Sequence, residues 1–359
     1  MHTRSKFRLL VVRLGAMGDI LHALPAVTAL RMAHPDWVID WVVEPKWQAL
    51  LAATDSRGRD TQSAAPRQPL VDHLHLAATK EWRRRLISAK TMGEIRGLRH
   101  ALRAGDYDTV LDLQGAVRSA VVARMAGCRR LIGEENPRER AARLLFTERV
   151  MTRGAHVIEQ DVELAEAVAG DELKPVQPWL PVDAAAEAWA DALLDPAPER
   201  PAVLINPGAG WGAKRWPVER YAAVAQRLIE RGHRVMVNAG PGEEPLAEAL
   251  ERQTGGEALP LVCRLDELIA LTRRVALVIA GDTGPLHLAC ALGRPVVGIY
   301  GPTDPSRNGP FGTRFRVLRS PESRRDHTRH EAPEAGLLTI QPDEVLRAAD
   351  ALLYPEAAL

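Results

Sequence analysis

Residues 7–45 read FRLLVVRLGAMGDILHALPAVTALRMAHPDWVIDWVVEP, and their rhythm decides the fold. Phe7 to Leu14 is an apolar run of strand length, Asp19 to Pro35 is apolar over a helical length, and Val38 to Pro45 is a second strand-length run. Strand, helix and strand at this spacing make a βαβ unit, which implies a parallel sheet covered by helices. Gly15 and Gly18, in the turn after the first run, look like the start of a loop that cradles phosphate. The next residue is Asp19, a carboxylate where a bound pyrophosphate would be repelled. The glycines form only G-x-x-G, so the dinucleotide fingerprint of an NAD-dependent oxidoreductase is missing.

The same rhythm continues outward. HLHLA (73–77), TVLDLQG (109–115) and RRLIGEE (129–135) extend the first series. PAVLINPG (201–208), RVMVNAG (234–240), ALVIAGD (276–282) and PVVGIYG (295–301) form a second series. Between the two, six prolines from Pro175 to Pro201 frame one short helix, Ala184 to Leu194. The expected fold class is α/β with two Rossmann-like, doubly wound domains: a first domain over 1–180, a linker over 181–200, a second domain over 201–340 and a C-terminal helix within 341–359. In such sheets ligands bind beyond the carboxyl ends of strands, where Asp19, Gln114, Gly208, Gly240, Asp282 and Gly301 fall.

Bulk properties narrow the function. A net charge of +1 over 359 residues argues against a chain built to neutralise nucleic acid. The charge is nevertheless uneven: residues 80–153 hold 17 Lys and Arg against 9 Asp and Glu, leaving 30 against 37 elsewhere. That surplus suits either an anionic partner or a solvated helix face. Cys128, Cys263 and Cys290 show neither a CxxC pair nor metal-ligand spacing, so a reduced, cytosolic setting without a metal is expected. The N-terminal stretch imitates a signal peptide, but Arg13 and Asp19 interrupt its apolar part. With no apolar run of about 18 to 20 residues, the expectation is a soluble protein with at most a peripheral membrane contact.

Two loops carry chemistry. INPGAGWGAKRWP (205–217) clears side chains from its backbone N–H groups and supplies one point charge, Lys214, which suits an anion; a plain connection is the alternative. In ALVIAGDTGPLHLACALGRPVVGIYGPTDP (276–305), Asp282 and Thr283 end a strand. Gly284 then admits a close backbone approach, and His287 lies in the first turn of the next helix. That helix N-terminus suits an anion, while Asp282 or Thr283 can equally serve as its cap. Glu243 and Glu244, after a Gly-Pro-Gly turn, suit either ribose hydroxyls or a helix dipole.

RLGAMGDILHALPAVTALR, DLQGAVRSA, INPGAGWGAKRWP and GDTGPLHLACALGRPVVGIYGPTDP together resemble the bacterial lipopolysaccharide heptosyltransferases, heptosyltransferase I in particular, over about Leu9 to Gly312. The resemblance implies a GT-B fold, its two domains facing a central cleft, with acceptor on the first and donor on the second. It implies transfer of L-glycero-D-manno-heptose from ADP-heptose to a Kdo sugar of Kdo-lipid A, with inversion and without a catalytic metal, by a cytoplasmic enzyme peripherally associated with the inner membrane. Asp19 then stands at the position of the general base. Lys214 would meet the donor diphosphate and stabilise departing ADP, beside Gly208 of its loop. Thr283, Gly284 and His287 would line the diphosphate site, with Asp282 beside the donor and Glu243 on its ribose. Trp82, Arg83, Arg84, Gln114, Arg118 and His156 would bind the acceptor. By the same analogy the C-terminal helix would pack back on the first domain. Departures exist: Ala16 replaces a small hydroxyl residue, Glu81 interrupts the basic cluster, the 205–217 loop lacks paired threonines, and residues 53–69 have no counterpart. A heptosyltransferase II-like enzyme, another nucleotide-sugar transferase and a non-catalytic nucleotide-sugar-binding protein are the alternatives.

Overall fold

The computed structural model describes residues 6–54, 60–61, 69–85, 88–195, 199–326, 328 and 330–354. The chain divides into two units, Met1–Pro181 and Val182–Leu359.

In the first unit β1 (Arg8–Val12), α1 (Met17–Ala33) and β2 (Val38–Val43) realise the opening βαβ unit. A two-residue antiparallel pair, β3 (Ala53–Thr54) and β4 (Asp60–Thr61), follows; the rest of the 53–69 insertion lies largely outside the described residues. Then come β5 (His73–Leu76), α2 (Thr79–Arg84), α3 (Ala89–Ala104), β6 (Thr109–Asp112), α4 (Val117–Met125), β7 (Leu131–Glu134), β8 (Glu148–Val150) and α5 (Val157–Ala169). The six principal strands are parallel in the order β5-β2-β1-β6-β7-β8. α1 is buried on nearly every side from Met17 to Arg31 because it is sandwiched between sheet and α5, which is why its sequence lacks a polar face. It runs through Pro25 without ending.

The second unit holds α6 (Ala184–Leu194), β9 (Ala202–Asn206), α7 (Val218–Glu230), β10 (Arg234–Asn238), α8 (Glu244–Gln253), β11 (Leu259–Leu261), α9 (Leu265–Thr272), β12 (Leu277–Gly281), α10 (Gly284–Ala291), β13 (Val296–Tyr300), α11 (Pro305–Asn308), β14 (Phe315–Arg319) and α12 (Pro342–Leu353). Its sheet is again parallel, β11-β10-β9-β12-β13-β14. Both orders are the doubly wound 3-2-1-4-5-6 pattern. Each therefore has one switch point, between β1 and β6 in the first sheet and between β9 and β12 in the second, where chain crossovers part and leave a crevice for ligand.

One expectation about boundaries changes. Residues 181–200 are not a free linker, because α6 belongs to the second unit. Asp183 caps it through Ala185 N and Ala186 N, Ala186 and Ala190 are buried, and Glu187 and Asp191 pair with Arg273 and Arg274 just beyond α9. α12 packs on α7 and on β12 to β14, and Val345, Leu346, Ala349 and Leu352 are spent in the second core with Trp216 and Tyr221. No helix among the described residues is long and apolar enough to cross a membrane.

Candidate active site

At the switch point of the second sheet, β9 leads into the 205–217 loop and β12 into α10. The loop ends in a tight turn, Gly212–Lys214. The Lys214 ammonium pairs with the Asp282 carboxylate, lies 3.3 Å from the Asp282 carbonyl oxygen and sits 4.4 Å from the centre of the Trp211 ring. His287 Nε2 lies 3.1 Å from Asp282 Oδ1. These groups are deeply buried, the side chains of Lys214, Asp282 and His287 being 11%, 6% and 6% exposed. Burial alone would raise the Asp282 carboxyl. The hydrogen bond from His287 and the charge of Lys214 outweigh it and hold the group well below the usual carboxylate range. Thr283 occupies the N-cap position of α10 without a side-chain capping bond; its hydroxyl donates to Gly281 O at 3.3 Å. Gly284 opens the helix. A fixed cation thus stands beside the positive end of a helix, an arrangement suited to a diphosphate.

The sequence left Glu243 and Glu244 level; the geometry separates them. Glu244, at the start of α8, turns away to accept from Gly242 N at 3.1 Å. Glu243 folds back over the strand ends, accepting from Gly240 N at 3.2 Å. Its carboxylate lies so close to Gly208 that a Cβ there would collide with it. Gly208 is therefore a requirement of the Glu243 position. On its other side the lysine loop is stitched to the chain end: Ala213 N donates to His330 O at 2.9 Å and Glu334 N to Ala213 O at 3.2 Å. A Cβ at Gly212 would strike the Glu331 carbonyl.

At the switch point of the first sheet, Asp19 is the third residue of α1. Its Oδ2 accepts from Ala16 N at 3.1 Å, so it does close the helix start, and its side chain remains 35% exposed. Arg13 Nη2 lies 3.7 Å from Oδ1 and Arg138 Nη1 4.0 Å from Oδ2. Gln114, after β6, is buried and its Oε1 accepts from Leu14 N at 2.8 Å, tying the two strand ends together. Arg118 stands near Glu44, 3.9 Å away, and Lys80 approaches the same carboxylate at 3.8 Å. Thr79 Oγ1 donates to Glu44 at 2.7 Å. Glu44 was missed by the sequence reading, although it too follows a strand. Arg13 and Arg138 were missed as well, since neither sits in a stretch that reads as a site by itself.

The expected acceptor residues divide. Arg83 and Arg84 are exposed on α2. Trp82 is not: its ring packs in the first core with Leu98, Leu102 and Tyr107, and Nε1 donates to Glu94 at 2.8 Å. Its burial anchors the short helix on which Arg83 and Arg84 stand. His156 is also buried, as the N-cap of α5. Its Nδ1 accepts from Ile158 N at 3.2 Å, and its ring meets His22 of α1 edge-on at 5.8 Å. Among the described residues no group of three His, Cys, Asp or Glu side chains is placed to hold a metal.

Residues 95–337 match the family model for glycosyltransferase family 9 (heptosyltransferase). Lipopolysaccharide heptosyltransferase 1 of Escherichia coli K12 is 31% identical over 325 residues, 88% of this chain and 94% of that protein. Lipopolysaccharide heptosyltransferase 2 of the same strain is 30% identical over 369 residues, 98% of this chain and all of that one. The solved structure of E. coli heptosyltransferase WaaC with ADP superposes with a TM-score of 0.77 at 26% identity, covering 96% of this chain and all of the other.

Proposed function

The chain belongs to glycosyltransferase family 9, and from that premise we propose that it moves L-glycero-D-manno-heptose from ADP-heptose to a Kdo residue of Kdo-lipid A with inversion. The second unit holds the donor. Lys214, the backbone around Thr283 and Gly284, and His287 through Asp282 take the diphosphate, while Glu243 accepts from the ribose hydroxyls. Departing ADP gathers negative charge, and a buried lysine beside the first turn of α10 stabilises that charge more in the transition state than in the ground state. No metal is required in this scheme. Asp19, in the first unit, takes the proton from the acceptor hydroxyl as its oxygen attacks the anomeric carbon opposite the leaving group. Exposed Arg83, Arg84 and Arg118 attract the acceptor's carboxylates and phosphates, in which bidentate arginine pairing is favoured. The same basic face lies against the cytoplasmic leaflet.

The observation that carries this reading is the buried Lys214–Asp282–His287 cluster at the second switch point, a preorganised cationic seat for a leaving diphosphate. Its test is mass spectrometry of Kdo-lipid A incubated with ADP-heptose, enzyme and EDTA. A gain of one heptose is expected. Gain only on an acceptor already carrying one heptose moves the protein to the second transfer, which similar identity to both E. coli enzymes keeps as the competing reading. Gain on neither overturns both.

A further inference from the structure

Arg13 has no part in the scheme above, yet its environment is costly to build. Its side chain is 7% exposed, and an uncompensated guanidinium in such a place is strongly unfavourable. The fold gives it two carboxylates. On one side Nε donates to the backbone oxygen of Asp19 at 3.1 Å, and Nη2 stands 3.7 Å from Asp19 Oδ1. On the other side its charge acts on Asp112, the fully enclosed last residue of β6. Asp112 Oδ1 accepts from Gln114 N, Gly115 N and Ser119 Oγ, and Oδ2 has no hydrogen-bond partner among the described residues. The backbone of Arg13 is equally constrained: its N donates to Val42 O at 3.3 Å and its O accepts from Trp41 Nε1 at 3.0 Å. Arg138, by contrast, reaches Asp19 with a side chain that is 69% exposed.

We infer that Arg13 is a positioning residue for sugar transfer, acting through Asp19 alone. The inference rests on the reading of Asp19 as the base. Asp19 Oδ2 accepts from Ala16 N and lies 4.0 Å from the exposed Arg138 guanidinium, which leaves the Oδ1 side to Arg13. A buried cation on the Oδ1 side fixes its plane, and at 3.7 Å it does so without a hydrogen bond, leaving Oδ1 lone pairs for the acceptor proton. Asp112 in turn offsets the cation and shapes the Gln114–Gly115 turn beside it.

A double-mutant cycle tests this, using Arg13→Gln, Asp19→Asn and the pair, with whichever of the two acceptors the parent uses. Loss of a placed base costs about 10²- to 10⁴-fold, which leaves a measurable residual rate. Arg13→Gln in the parent is expected to lower kcat about 10- to 100-fold, with both KM values and ADP affinity within about 3-fold. In the Asp19→Asn background the same change is expected to alter kcat by less than about 3-fold, because the group it positions is gone. Arg13→Lys, which keeps the charge, is expected to recover part of the loss, and it replaces Arg13→Gln in the cycle if that variant fails to fold. Equal losses in both backgrounds, or parent-like kcat in Arg13→Gln, overturn the inference while Asp19 stands. Parent-like kcat in Asp19→Asn, or a parent inactive on both acceptors, overturns the underlying reading instead.

Discussion

Replacing Lys214 by Met separates the two tasks assigned to it, because methionine keeps an apolar stem near Trp211 and removes only the charge. Lys214 and Asp282 form a buried ion pair, their side chains 11% and 6% exposed. Removing one partner of such a pair typically costs about 3–5 kcal/mol. Here the low end, about 3 kcal/mol, applies, since Asp282 keeps its hydrogen bond to His287 at 3.1 Å. The second effect concerns ligand. One charge-assisted hydrogen bond to a diphosphate is worth about 1.5–3 kcal/mol, or roughly 10- to 150-fold in ADP affinity. Urea unfolding of the unliganded variant reads the first quantity, and calorimetric titration with ADP under native conditions reads the second. Lower stability with ADP affinity within about 3-fold of the parent would reduce Lys214 to a counter-ion of Asp282. Unchanged stability would refute the buried pair itself.

Burial raises the Asp112 carboxyl to about 6, against the opposing pull of Gly115, Gln114, Ser119 and Arg13. With an unfolded value of about 3.9, its contribution to stability is full below that pH and is lost as pH rises through 6. Urea unfolding between pH 4.5 and 8 should therefore show the parent losing about 2 kcal/mol relative to Asp112→Asn, and parallel curves would contradict the assignment. Gly208→Ala should displace the Glu243 carboxylate and raise the donor KM several-fold, whereas Gly210→Ala, where a Cβ meets nothing within 4 Å, should leave it unchanged. Equal effects at the two glycines would mean that Glu243 has no share in donor binding.

The central strands of both sheets were legible because their apolar runs are continuous, and four of the residues placed after them by chain order alone, Asp19, Gln114, Gly208 and Asp282, lie at the two switch points. Lys214 and Asp282 are 68 positions apart in sequence and touch through their ammonium and carboxylate. Of the four edge strands, β5 was legible and three were not. β8 reads Glu-Arg-Val, β11 contains Pro260 and β14 carries two arginines, because an edge strand answers to one neighbour and to solvent rather than to a core. The burial of Trp82 was not legible for a related reason. An indole amid arginines looks like a stacking platform, and only the packing of Leu98 and Leu102 against it identifies a core residue. Glu44 escaped because its partners Thr79, Lys80 and Arg118 lie 35 to 74 positions away, and Arg13 because only the turn of the chain after β1 brings its guanidinium back to Asp19. Such pairings leave no periodic trace.

The stitching of Ala213 to His330 and Glu334 bears on where this protein tolerates being cut. Truncated just beyond β14, the chain keeps every strand of its second sheet and loses the splint behind its lysine. A deletion that looks harmless on a topology diagram thus removes the backing against which Gly212 is pressed. The last tenth of the sequence therefore has two duties, a fastening for the first loop of the second sheet and, through α12, a share of the core, and shortening the tail to make a minimal fragment would take away both at once.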